Sequence, residues 1–170
     1  MKYLLNDNIN LVLANVNDID MLLNFQKEII EDMPRKEFFT PLLKEEFSYP
    51  IENNGRVYMA FSENEMIGLY VLTINPLKEI INEYRLENID GVAIFDSVMI
   101  KKEYRGSNLQ AQGMEIIYND AKKLGVKQII ATVHPENIYS IMNFQKEDYK
   151  HTKTIPVHGG ERLIFQKEIN

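Results

Sequence analysis

The chain has 170 residues, of which 45% are hydrophobic and 26% are charged. This composition excludes the low-hydrophobicity, high-charge signature of disorder, and the length predicts a single domain over residues 1–170. A net charge of −6 argues against sequence-independent binding to nucleic acid, whose affinity comes from neutralising phosphates. The absence of cysteine excludes a disulfide framework, a thiolate zinc site and a cysteine nucleophile.

The N-terminal sequence MKYLLNDNIN reaches polar residues too soon for the apolar stretch of a signal peptide. No apolar run in the sequence approaches the ~18 residues that are needed to span a bilayer. We therefore expect a cytoplasmic protein without a membrane partner.

The first half of the chain predicts two helices followed by a β-hairpin. Apolar spacing, β-branched content and turn residues place, in order, a strand at 9–14, a helix at 19–30, a shorter helix at 40–50 and strands at 56–62 and 65–74. Asn17 and Asp18 are expected to cap the first helix, which Pro34 ends. Thr40 and Pro41 are expected to open the second helix.

The second half of the chain alternates strands and helices. In order it predicts a polar, partly helical insert at 75–90, a strand at 91–100, a loop at 101–106, a helix at 107–125, a strand at 127–133, a helix at 137–147 and closing strands at 151–157 and 162–169. In the helix at 107–125, Met114, Ile117 and Ala121 recur at core spacing and are expected to pack against a sheet. The order of the elements predicts an α/β (α+β) fold in which helices flank a mixed sheet.

The segment from Val98 to Gln112 is the most informative part of the sequence. A strand delivers a short loop that opens a helix, so free backbone N–H groups and the positive end of the helix dipole point at one place. That geometry binds phosphate. Between residues 101 and 127 three acidic residues are outnumbered by six basic ones, namely Lys101, Lys102, Arg105, Lys122, Lys123 and Lys127. Such charges suit an anionic ligand that carries a pyrophosphate and a further phosphate.

Residues 100–110, IKKEYRGSNLQ, resemble the acyl-CoA loop of the GNAT superfamily of N-acetyltransferases, usually written Val-x-Pro-x-Tyr-Arg-Gly-x-Gly-x-Gly or Ala. Tyr104, Arg105 and Gly106 match this motif, and Ile100 is a conservative replacement for the Val. The order of the predicted elements is also that of the family, so the resemblance covers nearly the whole chain.

The loop departs from the family pattern at three positions. Lys102 stands where Pro is usual, and Asn108 and Gln110 occupy two positions normally held by Gly. Glycine there lets a pyrophosphate approach the backbone closely, and Asn tolerates a left-handed φ better than most residues. These departures bear on the affinity for the cofactor more than on the fold.

A second resemblance lies downstream, in residues 132–150. TVHPENIYSIMNFQKEDYK is similar to the family's fifth strand and the helix after it, commonly Asn-x-x-Ala-x-x-x-Tyr-x-x-x-Gly-Phe. Asn137 matches the first position, where it can cap the helix, bind pantetheine or do both, and Ser140 stands at the small-residue position. Phe144 occupies the position where many relatives carry the Tyr that protonates the leaving thiolate, which Phe cannot do, and Asp148 replaces the Gly.

The resemblance implies a mostly antiparallel sheet of about six to seven strands, in which two adjacent parallel strands, 92–101 and 127–133, splay apart. Acetyl-CoA would lie in the opening, with its pantetheine paired to free strand backbone and its pyrophosphate at the helix start. The cofactor-binding residues so implied are Val98, Met99, Ile100, Arg105, Gly106, Ser107, Asn108, Leu109, Gln110, Asn137, Ser140 and Phe144.

Three residues are candidates for proton transfer. Asp96 lies where relatives often place an acid or a bound water and is a candidate base; the alternative is a strand Asp paired to a neighbouring loop. His134 could reach the cleft as a base, or it could be a turn residue before Pro135. Tyr139 or a water could protonate the CoA thiolate, although a thiol pKa of ~8.5 leaves little need for an acid. The alternative role for Tyr139 is packing at the rim.

The favoured function is that of an acetyl-CoA-dependent N-acetyltransferase, which moves the acetyl group to a primary amine of a small molecule or peptide by direct attack, without a metal. One alternative is an acyl-CoA-binding module that has kept the fold and lost catalysis. Another is a nucleotide-binding regulator, although the Gly-rich Lys-Ser/Thr loop of P-loop proteins is missing from the sequence. The acceptor pocket is expected to involve residues 25–50, the insert at 75–90 and the C-terminal strands, in a monomer or homodimer.

Overall fold

The computed structural model describes residues 2–6, 8–87 and 89–169. Its strands are β1 (Lys2–Asn6), β2 (Ile9–Leu13), β3 (Arg56–Ser62), β4 (Glu65–Ile74), β5 (Val92–Ile100), β6 (Gln128–Val133), β7 (Lys150–Val157) and β8 (Gly160–Glu168). Its helices are α1 (Ile19–Glu31), α2 (Lys44–Glu52), α3 (Lys78–Glu83), α4 (Leu109–Lys123) and α5 (Ile138–Lys146). Within the residues that the structure describes, no helix is both long and apolar enough to cross a bilayer.

The strands form one sheet in the order β1-β2-β3-β4-β5-β6-β8-β7. Neighbouring strands pair antiparallel, with the exception of β5 and β6, which are parallel. This arrangement confirms the predicted mixed, mostly antiparallel sheet. The described part of the chain contributes eight strands to it, more than the six to seven expected, because Lys2–Asn6 also pairs with β2.

The helices lie on both faces of this sheet. On one face α1 and α2 pack against β3, β4 and β5, and Phe47 of α2 is fully buried there. On the other face α4 and α5 pack, and the predicted core stripe of Met114, Ile117 and Ala121 is at most 3% exposed. A third apolar cluster forms around Tyr84, which follows α3 and packs with residues of β5, β6, β7 and β8.

Asp18 is the N-cap residue of α1, as expected, but it makes no side-chain capping bond to this helix. The side-chain cap lies upstream, at Asn15. Asn15 caps a 3₁₀ turn at Val16–Asp18, and its side chain accepts a hydrogen bond from the Asn17 N–H at 3.0 Å. The Asp18 carboxylate turns back to accept the Asn15 N–H at 2.8 Å. The helix then runs directly on from this turn and ends at Glu31.

The second helix begins at Lys44 and not at Thr40 as expected. The buried side chain of Gln26 explains the difference, because it donates to the Leu42 carbonyl at 2.9 Å and accepts the Leu42 N–H at 2.8 Å. The first of these bonds occupies the Leu42 carbonyl, which a helix from Thr40 would need as the acceptor for the N–H of residue 46. Pro50, predicted as the end of the helix, lies inside it.

A buried carboxylate fastens α4 to the sheet. Asp120 is 3% exposed and accepts hydrogen bonds from the hydroxyls of Tyr3, at 2.7 Å, and Tyr58. The cations of Lys123 and Arg56 lie 3.2 Å and 3.6 Å from its oxygens. Burial raises the pKa of Asp120, but the hydrogen bonds and the Lys123 charge outweigh it, so that the pKa lies below its usual value. This group holds β1, β3 and α4 together.

Candidate active site

The parallel strands β5 and β6 pair along only part of their length. Residues 92–94 lie opposite residues 128–130, and no further pairing between the two strands occurs in the described chain. β5 nevertheless stays paired with β4 up to Ile100, and β6 stays paired with β8 up to Val133. Because each strand is held by its outer neighbour, the two diverge beyond Ile94 and Ile130, which confirms the predicted splaying. The opening between the diverging strand ends is called the cleft below.

The backbone of β5 exposes hydrogen-bonding groups to this cleft. The Lys101 N–H donates to the Ile67 carbonyl at 2.9 Å, so it points toward β4. The N–H and C=O groups of successive residues in a strand point to opposite edges. Those of Met99 therefore also point toward β4, whereas those of Val98 and Ile100 point into the cleft. The Ile100 carbonyl accepts a 3.0 Å hydrogen bond from Arg105 Nε, which brings that guanidinium to the cleft mouth.

The loop after β5 presents unpaired main-chain N–H groups at the start of α4. In the described part of the chain, none of the amides from Gly106 to Ala111 has an acceptor. Asn108 precedes the helix with a left-handed φ of 64° and makes no side-chain capping bond, and Gly106 has a φ of +78°. Exposed free amides and the positive end of the helix dipole therefore meet at one point, which is the geometry that binds phosphate.

Two of the six basic residues singled out in the sequence lie exposed in this loop, Lys102 and Arg105. Lys101 is tied up elsewhere, because its ammonium lies 2.9 Å from the carboxylates of both Glu28 and Glu65. Hydrogen bonds to these two acids raise the pKa of Lys101. Its charge is therefore largely neutralised by protein carboxylates.

The other three basic residues lie away from the loop. Lys122 and Lys123 are in the last turn of α4, roughly 20 Å from its start at 1.5 Å per residue. Lys127 forms an ion pair with Asp90. The interpretation of residues 101–127 as one basic patch is therefore wrong, because a helix of 15 residues separates its two ends in space.

The helix α5 lies beside the start of α4. Asn137 caps α5, since its side-chain oxygen accepts the Ser140 N–H at 3.2 Å, and this confirms its predicted capping role. The amide of Asn143 donates to the side-chain oxygen of Gln110 at 2.7 Å and joins the two helices. Gln110 is thus held in place at the position where relatives of this loop carry Gly.

Phe144 lies in the apolar core beneath α5. It is 3% exposed, and its ring centroid lies 6.0 Å from that of Phe95, 5.0 Å from that of Tyr149 and 5.9 Å from that of Phe165. Leu109, in the first turn of α4, is likewise buried at 2%. Among the sequence-predicted site residues, these two side chains belong to the packing that supports the loop.

Asp96 lies at a bulge in β5, on the side of the sheet opposite α4. Val71 pairs with Ser97 and Leu72 with Phe95, which leaves Asp96 as the extra residue of the bulge. Its carboxylate accepts a hydrogen bond from the Thr73 hydroxyl. Burial raises the pKa of Asp96 to about 7, and the bond from Thr73 limits the rise.

Two residues that the sequence did not single out lie near Asp96. Tyr84, from the insert, has a hydroxyl 3.0 Å from Nε2 of His158 in the turn between β7 and β8. Burial and the nearby charge of Asp96 both raise the pKa of Tyr84. The length of the insert at 75–90 is the sequence signal that could have pointed to Tyr84.

The remaining two candidates for proton transfer lie in a turn and on a helix surface. His134 Nδ1 accepts the Glu136 N–H at 3.2 Å, and its ring packs on Phe38 with centroids 4.9 Å apart. These contacts are those of a turn residue covered by the loop before α2. Tyr139 is 84% exposed on the surface of α5.

The sequence and the structure were both compared with known proteins. The family model described as the acetyltransferase (GNAT) family matches residues 23–147. A GNAT-family acetyltransferase of Streptococcus pneumoniae is similar in structure, with a TM-score of 0.74 and 16% identity over 95% of this chain and 99% of that chain. An N-acetyltransferase of Staphylococcus aureus Mu50 is similar with a TM-score of 0.73 and 16% identity over 96% of this chain and 100% of that one.

A third similar structure carries a ligand. The yncA protein of Salmonella typhimurium, solved with its cofactor acetyl-CoA, has a TM-score of 0.72 and 11% identity over 96% of this chain and 95% of that one. Identities this low show a shared fold. No curated protein matches the sequence.

Proposed function

The chain belongs to the acetyltransferase (GNAT) family, and we propose that it moves an acetyl group from acetyl-CoA to a primary amine of a small molecule or peptide by direct attack. The observation that carries this proposal is the open cleft between β5 and β6, with unpaired amides from Gly106 to Ala111 at its mouth. A thioester cosubstrate with a long hydrogen-bonding arm and a pyrophosphate matches both features.

In this proposal the pyrophosphate binds the free amides at the start of α4, where Lys102 and Arg105 supply positive charge. The pantetheine arm pairs with the cleft-facing backbone of Val98 and Ile100, as a short added strand would. Asn137, which already caps α5, has a side-chain N–H left to offer the arm. The similarity to the Salmonella typhimurium protein with acetyl-CoA supports this placement.

Acetyl transfer requires a neutral amine held against the thioester. The amine nitrogen attacks the thioester carbonyl carbon, the carbon–sulfur bond breaks, and coenzyme A leaves as a thiolate. Asp96 takes the proton from nitrogen, because a carboxylate with a pKa of about 7 is a competent base near neutrality. A cleft-facing N–H of β5 stabilises the oxyanion that forms during the attack.

The thiolate needs little help to leave, because its thiol has a pKa of ~8.5. Tyr139 or a water delivers the proton to it in this proposal. His134 is the less suitable base of the two that the sequence suggested, since its Nδ1 already accepts the Glu136 N–H and Phe38 covers its ring.

Thermal denaturation with increasing acetyl-CoA tests the cofactor site, and a panel of primary amines assayed for free thiol tests the reaction. Gly106→Val should abolish the acetyl-CoA-dependent rise in Tm, because a side chain there crowds the amides. The matched control is Gly125→Val at the far end of α4, since Gly125 has a similar φ of +76° and similarly open surroundings. Both variants should lose about 1–2 kcal/mol of stability from the left-handed backbone.

An unchanged acetyl-CoA titration in Gly106→Val would contradict the placement of the cofactor. Binding of acetyl-CoA without release of thiol, with every amine tried, would favour the alternative of a binding module that has lost catalysis. The departures at Asn108, Gln110 and Phe144 are the residues that would then explain the loss.

A further inference from the structure

One arginine is buried beside the candidate site without an acidic partner. Arg162 on β8 is 6% exposed. Its guanidinium donates to the carbonyls of Glu161, at 2.9 Å, and Glu37, at 3.3 Å. Among the described residues, no carboxylate lies within 4.0 Å of it.

A buried guanidinium in such surroundings lacks a negative charge to balance its own. Arginine stays charged at every working pH, so burial cannot be relieved by loss of a proton. Two neutral carbonyls satisfy only two of its five N–H donors and leave its charge uncompensated. The partly buried Arg56 shows the contrast, because Asp120 lies 3.6 Å from its Nε. An anion that reached Arg162 would therefore be bound strongly.

Arg162 lies on the same side of the sheet as Asp96. Ile164, two residues further along β8, packs with Tyr84 in the cluster under α3, and side chains two apart on a strand share a face. Asp96 lies on this side as well, because Thr73, which donates to its carboxylate, pairs with Ile94 of the same cluster.

The distance between neighbouring strands gives an estimate of the separation between Asp96 and Arg162. β6 lies between β5 and β8, so Asp96 and Arg162 are two strand spacings apart, about 10 Å or more at the splayed end. A long arginine side chain reaches across part of this distance. One small molecule could therefore place an amine at Asp96 and an anionic group at Arg162.

We propose that the acceptor is an amine that also carries a carboxylate, and that Arg162 binds this carboxylate while the amine lies at Asp96. This inference rests on the proposed function and names its substrate class, that of amino acids. The incoming carboxylate replaces the long 3.3 Å contact to the Glu37 carbonyl and pairs with the guanidinium through two N–H groups.

Arg162 could instead serve only to tie down the 3₁₀ turn at Lys36–Phe38, through Glu37. Arg35 provides the matched control for that role. It fastens the same turn from outside, through ion pairs with Glu37 and Glu136, and its exposed guanidinium stacks on Phe38. Arg35→Gln therefore loosens the turn without removing the buried charge.

The test compares free amino acids with their C-terminal amides, which differ only in the carboxylate. In Arg162→Gln, kcat/KM for the amino acids should fall about 10- to 100-fold, while kcat/KM for the amides should change less than about 3-fold. Arg35→Gln should change both classes alike. Dividing kcat/KM of each variant by that of the native protein, for the same substrate, cancels the difference in amine basicity between acid and amide.

Equal losses for acids and amides in Arg162→Gln would overturn the inference and leave the proposed function standing. Calorimetric titration of amino acids and amides into the protein with coenzyme A is a readout that needs no turnover. Tighter binding of the acids, lost in Arg162→Gln and partly kept in Arg162→Lys, supports the inference. Equal binding of acids and amides overturns it, and failure to acetylate any amine counts against the proposed function alone.

Discussion

Two aspartates lie on opposite faces of the same sheet, and their surroundings differ in kind. Asp120 has two tyrosine hydroxyls and two cations around it, and its pKa is lowered. Asp96 has the Thr73 hydroxyl as its side-chain donor, and burial raises its pKa to about 7.

The comparison shows that the number of hydrogen-bond donors around a buried carboxylate decides whether it serves stability or proton transfer. A buried carboxylate with several donors is stable as an anion and holds the elements around it together. A buried carboxylate with few donors takes up a proton near neutrality, as a general base must. Asp120 is therefore expected to matter for stability and Asp96 for acetyl transfer.

The largest expected effect follows from replacing the proposed base. Asp96→Asn should lower kcat/KM for the amine by about 10²- to 10⁴-fold, because the amide cannot accept the proton. Expressed per neutral amine, kcat/KM of the native protein should fall about tenfold per pH unit below pH 7, and the variant should lack this dependence. Steady-state thiol release measured from pH 5 to pH 9 checks both expectations.

The same substitution should raise stability. The pKa of Asp96 is higher in the folded protein than the ~3.9 of an unfolded chain, so the folded state binds the proton more tightly. The free energy of unfolding therefore declines as pH rises from about 4 to 7, and Asp96→Asn should restore on the order of 1–3 kcal/mol at pH 8. A variant that is inactive and also less stable at pH 8 would contradict this view of Asp96.

The next effect concerns the other aspartate. Asp120→Asn should lower the free energy of unfolding by about 3 kcal/mol at pH 7, because Arg56 and Lys123 lose their charge partner. Its lowered pKa means that the native contribution is present above about pH 4 and is lost as pH falls through the folded pKa. Urea denaturation at pH 7 and at successively lower pH measures this loss, and kcat per folded molecule should not change.

A smaller effect comes from removing one donor of the Asp120 group. Tyr58→Phe should lower stability by about 1–2 kcal/mol at pH 7 and by less at acid pH, since the carboxylate that it serves is protonated as pH falls through its folded pKa. Tyr70→Phe is the matched control, because the Tyr70 hydroxyl donates to the Leu109 carbonyl at 2.8 Å and not to an acid. Its cost should not depend on pH, and equal pH dependence in both variants would contradict the role given to Asp120.

The smallest effect concerns the donor to Asp96. Thr73→Val should move the apparent pKa of kcat/KM upward from about 7, by up to about one pH unit, because the hydrogen bond that lowers the pKa of Asp96 is gone. The rate at pH 9 should stay nearly the same. Tyr58→Phe should leave this pH profile unmoved, and a downward shift in Thr73→Val would contradict Asp96 as the titrating base.

Local patterns in the sequence predicted most of the elements and the loop that precedes α4. Strand, loop and helix around Val98 to Gln112 are adjacent in the chain, so composition and order alone indicated unpaired amides at the start of α4. The same reasoning found the capping role of Asn137. The reasoning failed for the helix start at Thr40, because the side chain of Gln26, from another helix, is hydrogen-bonded to both backbone groups of Leu42.

The proposed acceptor side of the site could not be predicted in the same way. Tyr84, Asp96, His158 and Arg162 come from an insert, two strands and a turn that are distant in sequence. Nothing in a local pattern states which of these meet, or which charge is left without a partner. The prediction of one basic patch at 101–127 failed for the converse reason, since residues close in sequence lie at opposite ends of a helix.

By itself the sequence determined that helices flank a mixed sheet, and that one strand-to-helix loop is suited to an anion, because these properties follow from periodicity and from groups close together in the chain. Only the tertiary structure decided that β5 and β6 separate after Ile94, that Asp96 stands at a bulge with few donors, and that Arg162 is buried without an acid. The burial of a side chain and its hydrogen-bond and charge partners are set by residues far apart in sequence. Burial and partners in turn set the pKa of Asp96 and leave the charge of Arg162 unbalanced.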